Sequence, residues 1–304
     1  MRIGFAALAG ALALACSSIA AQAQPTEAAK AEFAAAAEAA QKASVAGPSD
    51  VKLAEQARLK LPEGVFYVPP AESGRLLAAM GNRPGEGLLG MIASSAPDAD
   101  WFVVMRFVKS GFIKDDDARD WNVEELLGGL KEGTEESNQE RRTRGLPEIE
   151  IVGWVEAPKY DPSTRRLVWS LQSKQKGAPA GSDSGVNYNT YALGREGYVS
   201  MNLVTELARV QAEKPIAQKL LAALEYNDGK RYADFDSSTD HVAEYGLAAL
   251  VGGVAAKKLG LFAVALAFFA KFAKVIGLAA IALGAVFFKF FRRKKPDAAP
   301  PPQA

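Results

Sequence analysis

Glu148 to Gln172 reads EIEIVGWVEAPKYDPSTRRLVWSLQ, and Val186 to Val204 reads VNYNTYALGREGYVSMNLV. Apolar and polar residues alternate in these runs, which is the period of strands. The alternation predicts strands over Glu148–Glu156, Arg165–Gln172, Val186–Leu193 and Gly197–Val204. Pro158, Asp161 and Pro162 read as one turn, and Gly177–Gly185 as a loop. Gly194-Arg195-Glu196-Gly197 has the composition of a hairpin connection. Four consecutive strands without room for crossover helices make an antiparallel meander.

Working upstream, Asn122 stands three residues before Glu125, a capping-box spacing that opens a helix. Val123, Leu126, Leu127 and Leu130 then recur at helical period, and Gly145 ends the helix. Trp101–Val108 (WFVVMRFV) is apolar at nearly every position, as suits a central strand covered on both faces. Gly85–Gly90 (GEGLLG) superficially matches a dinucleotide fingerprint. No strand leads into it, so it reads as a loop. Ser73–Met80 is a helical turn, and Val65–Val68 a short strand stopped by Pro69-Pro70. Pro25–Lys60 is rich in Ala, Glu and Lys and reads as a marginal helix or flexible lead-in. Downstream of the meander, Thr205 caps a helix carrying Leu207, Val210, Ile216, Leu220, Leu221 and Leu224, which closes near Asn227-Asp228-Gly229. The predicted fold class is α+β: an antiparallel sheet of five or six strands with one face against these two helices.

Both termini read differently from this body. Met1–Ala23 has one basic residue, a small apolar core and the AQA end of a signal peptide. Gly246–Lys295 is apolar on every face between lysines. A span needs about 20 apolar residues, and 30 of the 33 residues of Leu259–Phe291 are not lysine. That stretch reads as one C-terminal transmembrane helix ending at the cytoplasmic stop Arg292–Lys295, with the bilayer as partner. Lys257, Lys271, Lys274 and Lys289 fall in one arc of about 100° on an ideal helix. They are a candidate polar face for self-association or for a membrane-protein partner, against snorkelling lysines on a tilted helix or a re-entrant or interfacial helix before Lys271. The resulting division is signal 1–23, lead-in 24–61, exported domain 62–232, linker 233–245, membrane segment 246–291 and basic tail 292–304. The predicted location is the bacterial inner membrane, with the domain in the periplasm.

Composition narrows the chemistry. The net charge is +1, but from His241 onward nine Lys or Arg face two acids, and the first 23 residues add only Arg2. The body between carries 26 basic and 33 acidic residues. Such an acidic body is a poor partner for nucleic acid. Cys16 is the sole cysteine and lies in the leader, so the domain forms no disulfide. His241 is the sole histidine, so neither a multi-histidine zinc site nor a catalytic triad is readily built. No cofactor or metal site is predicted. Trp154, Tyr160, Trp169, Asn187, Tyr188, Asn189, Tyr191, Arg195 and Glu196 are candidates for a pocket rich in aromatic and amide groups, with Glu156 or Glu196 as acid or base.

The strings DWNVEELLGGLKEGTEESNQERRTRGLP, IVGWVEAPKYDPSTRRLVWSL, VNYNTYALGREGYVSMNLVT and TDHVAEYGLAALVGG are together specific. With them the chain resembles a bacterial domain-of-unknown-function family of uncharacterised membrane-anchored proteins, from about Pro62 to Arg293. The resemblance implies a signal peptide, an exported domain and a membrane helix, and brings no catalytic residues. The expected function is a non-enzymatic binding or scaffolding domain of the cell envelope. The alternatives are a tethered carboxylate hydrolase, or an accessory subunit acting through its lysine-bearing helix.

Overall fold

The meander forms as the alternation dictates, inside a larger sheet than the sequence suggested. A computed structural model describes residues 26–252, apart from 83, 97, 98, 120, 144 and 180. In chain order the elements are α1 (Glu27–Ala43), β1 (Val45–Ala46), β2 (Ser49–Leu53), β3 (Ala57–Leu61), β4 (Val65–Val68), α2 (Pro70–Ala79), β5 (Leu88–Ser94) and β6 (Phe102–Val108). There follow α3 (Val123–Thr143), β7 (Ile149–Asp161), β8 (Arg166–Gln175), β9 (Gly185–Leu193), β10 (Tyr198–Glu206), α4 (Val210–Ala223) and β11 (Leu224–Tyr226). The main sheet has eight strands in the order β1-β4-β5-β6-β10-β9-β8-β7, all adjacent pairs antiparallel. A second sheet, β11-β3-β2, has three. The fold class is α+β, with eight strands where five or six were expected.

Most local expectations hold for the reasons given. Asn122 Oδ1 accepts from Glu124 N (3.0 Å) and Glu125 N (3.3 Å), and its amide reaches back to Glu125 Oε1. Gly194 N bonds Gly197 O across the hairpin turn. At Gly197 (φ 152°) a Cβ would lie 1.9 Å from Val108 O, so only glycine lets the hairpin approach β6.

Four expectations are corrected. Residues 88–94 form a strand, because Leu89, Met91, Ile92 and Ala93 are buried beside β6; the glycine run before it hid this. β7 runs through Pro158 without turning, since it is a bulged edge strand where proline removes no ladder bond. Thr205 stays in β10, and its hydroxyl bonds Glu213 rather than capping a helix. Ala223 ends α4, and the next three residues pair with β3.

The two long helices lie on opposite faces of the main sheet, not on one. Leu167, Val168 and Trp169 of β8 are apolar in succession, so both of its faces seek cover. On the back face Met105, Tyr188, Met201 and Leu203 pack against Val210, Ala217, Leu220 and Leu221 of α4 and against the small sheet. On the front face lie two separate clusters. Ala36, Ala37, Ala40, Leu76 and Leu77 of α1 and α2 cover Met91, Phe102 and Val104. Leu126 of α3, with Leu127 and Leu130, covers Leu167, Trp169 and Leu171. The lead-in is therefore part of the core: Leu53, Ala57 and Leu59 are at most 1% exposed.

The α3 helix also protects an edge. Asn138 is fully buried on the C-terminal half of α3, which is otherwise largely exposed. Its Nδ2 donates to Ile149 O (2.8 Å) and its Oδ1 accepts from Ile149 N (2.9 Å). One side-chain amide thus replaces a neighbouring strand at the open edge of β7.

The expected linker is strapped to the domain. Phe112 N donates to His241 O and Ala243 N to Phe112 O, both at 2.8 Å. Phe112 stacks on Phe235 at 3.8 Å. Arg195 grips Asp240 through two bonds of 2.6 and 2.8 Å. The first turn of the apolar C-terminal stretch is docked too. Leu247 N and Ala248 N donate to the Asp117 carboxylate at 3.0 Å, and Leu247, Leu250 and Val251 are buried with Trp169. Hydropathy registers that these residues avoid water, not which apolar host receives them. Among the described residues no helix is long and apolar enough to cross a membrane. The signal segment 1–23 and residues 253–304, which hold the expected span and all four lysines of its polar face (Lys257, Lys271, Lys274, Lys289), lie outside the described residues.

Candidate functional site

Because the front-face helices cover the sheet in two separate groups, a strip of β6, β10 and β9 stays open between them. It forms a cleft of about 610 Å³, within the range of small-molecule sites. Leu77 and Met80 at the end of α2 form one wall, and Arg141 in the last turn of α3 with Leu146 and Pro147 beyond it the other. The register sets the floor: Asn189 pairs with Asn202, which pairs with Val104, and Tyr191 pairs with Ser200, which pairs with Arg106. Side chains opposite one another across a ladder share a face. Asn187, Asn189, Ser200, Asn202 and Arg106 therefore point into the cleft together, and all line it.

The floor is polar and carries no acid. Asn202 Nδ2 donates to Asn187 Oδ1 (3.1 Å), and Asn189 Nδ2 to Asn187 O (3.2 Å). Asn202 Oδ1 is buried with no hydrogen-bond partner among the described residues. Arg106 donates to Pro84 O, and burial lowers its pKa from the usual arginine value. Arg141 Nε donates to Pro147 O (2.6 Å), which holds the second wall in place. At the end nearest β8, Tyr191 and Tyr198 meet edge to face at 5.6 Å. Burial raises the pKa of both hydroxyls; at Tyr191, Tyr198 adds to the shift and Trp169 opposes it. Neither phenol ionises at neutral pH.

Of the nine expected pocket residues, Asn187, Asn189 and Tyr191 line the cleft. Trp169 stacks behind Tyr191 at 6.3 Å and Trp154 meets Trp169 edge to face at 6.1 Å, so both support the site from the core. The other four lie elsewhere. Tyr188 is on the back face, fully buried, with its hydroxyl accepting from Gln218; burial pushes its pKa up to about 12. Tyr160 donates to Asp115 Oδ2 (2.7 Å), beside Arg165. Arg195 holds the strap at Asp240, whose pKa that guanidinium lowers to about 2. Glu196 accepts from Lys230 (2.9 Å) and Gln56 (3.3 Å), and the Lys230 bond lowers its pKa.

The proposed acids are not paired for catalysis. Glu156 sits beside Lys214 and Lys159. Its burial works to raise its pKa, but the two ammonium groups outweigh that and hold it below the ordinary value. Neither Glu156 nor Glu196 lines the cleft, so no pair of carboxylates meets there. Among the described residues no three His, Cys, Asp or Glu side chains converge to hold a metal.

Arg106, Ser200 and Asn202 were missed, although each left a trace. Arg106 is the one charge in WFVVMRFV, and Ser200 and Asn202 occupy alternate positions among Val199, Met201 and Leu203. A strand this apolar on one face normally turns its small polar residues to solvent. Here β6 and β9 flank it, and that face becomes a floor.

Among curated proteins none matches the chain. Cyanobacterial PsbP (CyanoP) from Synechocystis sp. PCC 6803 is similar in structure at 8% identity, with 60% of this chain and 91% of that one covered and a TM-score of 0.35. The Saccharomyces cerevisiae Ran-binding protein Mog1p is similar at 9% identity, with 58% and 94% covered and a TM-score of 0.34. Likenesses this distant carry no functional argument. The sequence is decisive for family: the profile of "Protein of unknown function (DUF2167)" matches residues 45–284, and the chain belongs to that family.

Proposed function

We propose that the domain is a non-enzymatic ligand-binding module of the cell envelope, with the front-face cleft as its site. The observation that carries this is the polar lining of the cleft: four asparagines, a serine, two arginines and two tyrosines, with no carboxylate and no histidine. Such a set donates and accepts hydrogen bonds but has no group with a pKa suited to moving protons at neutral pH. The signal-like start and the apolar 246–295 stretch support delivery to the periplasmic face of the inner membrane and tethering there. The docked turn 247–252 supports reading the start of the apolar stretch as part of the domain, because Leu247, Leu250 and Val251 are buried in its core.

The test is native mass spectrometry of the full chain taken from its own membranes in mild detergent, beside Ser200→Trp. Indole at this floor position projects from the front face into the cleft, on the side of the sheet away from the back-face core. The expected result is a bound small molecule on the wild type that the variant lacks, at an unchanged thermal midpoint. A wild type carrying nothing, or a variant carrying the same molecule, refutes the reading.

A further inference from the structure

Arg106 lacks the carboxylate partner that six other arginines of the described residues have, and unlike Arg166, which also donates only to a backbone carbonyl, it lines the cleft. Arg75, Arg142, Arg165, Arg195, Arg209 and Arg231 each pair with a carboxylate. Arg106 is partly buried near the end of β6, where it donates to the neutral carbonyl of Pro84. Among the described residues no carboxylate pairs with it, and none lines the cleft into which it opens. A guanidinium withdrawn from water without a counter-charge is costly, and an anion arriving beside it offsets that cost. The surrounding body is acidic, with 33 acids against 26 bases, so the acid-free cleft stands out as the place where an anion is favoured.

Asn202 Oδ1 makes the opposite demand. It is a buried acceptor without a donor, and buried polar groups are almost always satisfied. It repels an anionic oxygen and accepts a hydroxyl or amide hydrogen. Asn189 and Ser200 beside it add groups that both donate and accept. The ligand must therefore bring an anion to one end of the floor and O–H or N–H donors to the other. Ser200, which faces Arg106, and Asn202 are two residues apart on one strand. That is about 7 Å, roughly the breadth of a pyranose ring, and the cavity has room for more than one such ring.

We infer that the cleft recognises an acidic saccharide, its carboxylate or phosphate at Arg106 and its hydroxyls at Asn187, Asn189 and Asn202. This rests on the reading of the cleft as a ligand site and names the ligand class.

The experiment is isothermal titration of the full chain in detergent with four probes: glucuronate, glucose 6-phosphate, glucose and inorganic phosphate. At least one acidic sugar should bind 10-fold or more tightly than both glucose and phosphate, and which one tells carboxylate from phosphate. Arg106→Gln, whose amide can still donate to Pro84 O, should weaken that probe at least 10-fold and leave glucose unchanged. Should that variant fail to fold, Ser200→Asp sets a carboxylate opposite Arg106 and should abolish acidic-sugar binding in the same way. Glucose or phosphate binding as tightly as the better of the two acids, no binding of either acid, or full acidic-sugar affinity in the variants overturns the inference. The binding-module reading survives those outcomes if native mass spectrometry still finds a molecule that Ser200→Trp excludes, and falls with them if it does not.

Discussion

Replacing Asn138 by Ala tests how the cleft wall is held. The change removes one side chain from a fully buried position and leaves Ile149 N–H and C=O without partners. An orphaned buried backbone group costs roughly 1–3 kcal/mol, and the small cavity at the helix–strand junction lets water recover part of that. The expected loss is about 3 kcal/mol, which in a domain of this size lowers the thermal midpoint by about 6–12 °C. Thermal unfolding followed by tryptophan fluorescence reads the loss, and hydrogen exchange at the Ile149 amide locates it. Asn138→Asp separates the two bonds: the acceptor for Ile149 N–H stays, the donor to Ile149 O goes, and amide protection should persist while stability falls. The exposed neighbour Gln139 is the control, and Gln139→Ala should change stability by no more than about 0.5 kcal/mol. A loss below about 0.5 kcal/mol in Asn138→Ala, or unchanged exchange at Ile149, would refute the role of this amide as a surrogate strand. Arg141 lies one turn further along the same helix and forms the cleft wall with Pro147. The same variant should therefore also weaken binding of any cleft ligand.

Two further predictions concern the strap and a buried acid. Gly246→Ala would place a Cβ 2.3 Å from Asp117 Oδ2, and Asp117→Ala removes the carboxylate that accepts from both amides, bonds worth roughly 1.5–3 kcal/mol each; both should speed exchange at the Leu247 and Ala248 amides, and unaltered exchange would sink the docking role of Asp117. Glu213, 8% exposed, has a pKa raised above 4.5, chiefly by burial, with Asp100 and Glu206 adding to the shift and Thr205 and Arg209 opposing it. Its contribution is fully present below the unfolded value and is lost as pH rises through the raised folded value. The thermal midpoint of Glu213→Gln should therefore fall less than that of the wild type between pH 4 and 7, and an identical slope would count against it.

The meander, the capped α3 helix and the α+β class were legible because they depend on short-range rules. Alternation at period two, an Asn-x-x-Glu cap and a Gly-bounded hairpin each act within a few residues. The same alternation was present in Val51, Leu53, Ala57, Leu59 and Leu61, but the Ala-rich run before it disguised the start of the folded domain. Of the site, Asn187, Asn189 and Tyr191 were legible as an unusual polar and aromatic series on a strand. Arg195 and Glu196 were misplaced because hairpin composition does not say where the hairpin tip docks, here against Asp240 and Lys230.

Tertiary structure decided the rest. Whether a polar strand face meets water or becomes a cleft floor depends on where the helices stop, and α1–α2 and α3 leave a gap that no local pattern encodes. Whether Leu247, Leu250 and Val251 enter lipid or protein depends on a nearby apolar surface, here Trp169 and Leu171. Arg106 shows the same division: its sequence marks it as the one charge in an apolar strand, and only the fold shows that no carboxylate of the described chain stands beside it. Periodicity is a property of neighbours in sequence. A cleft is a property of strands and helices brought together from 77 to 204, and its chemistry exists only once they meet.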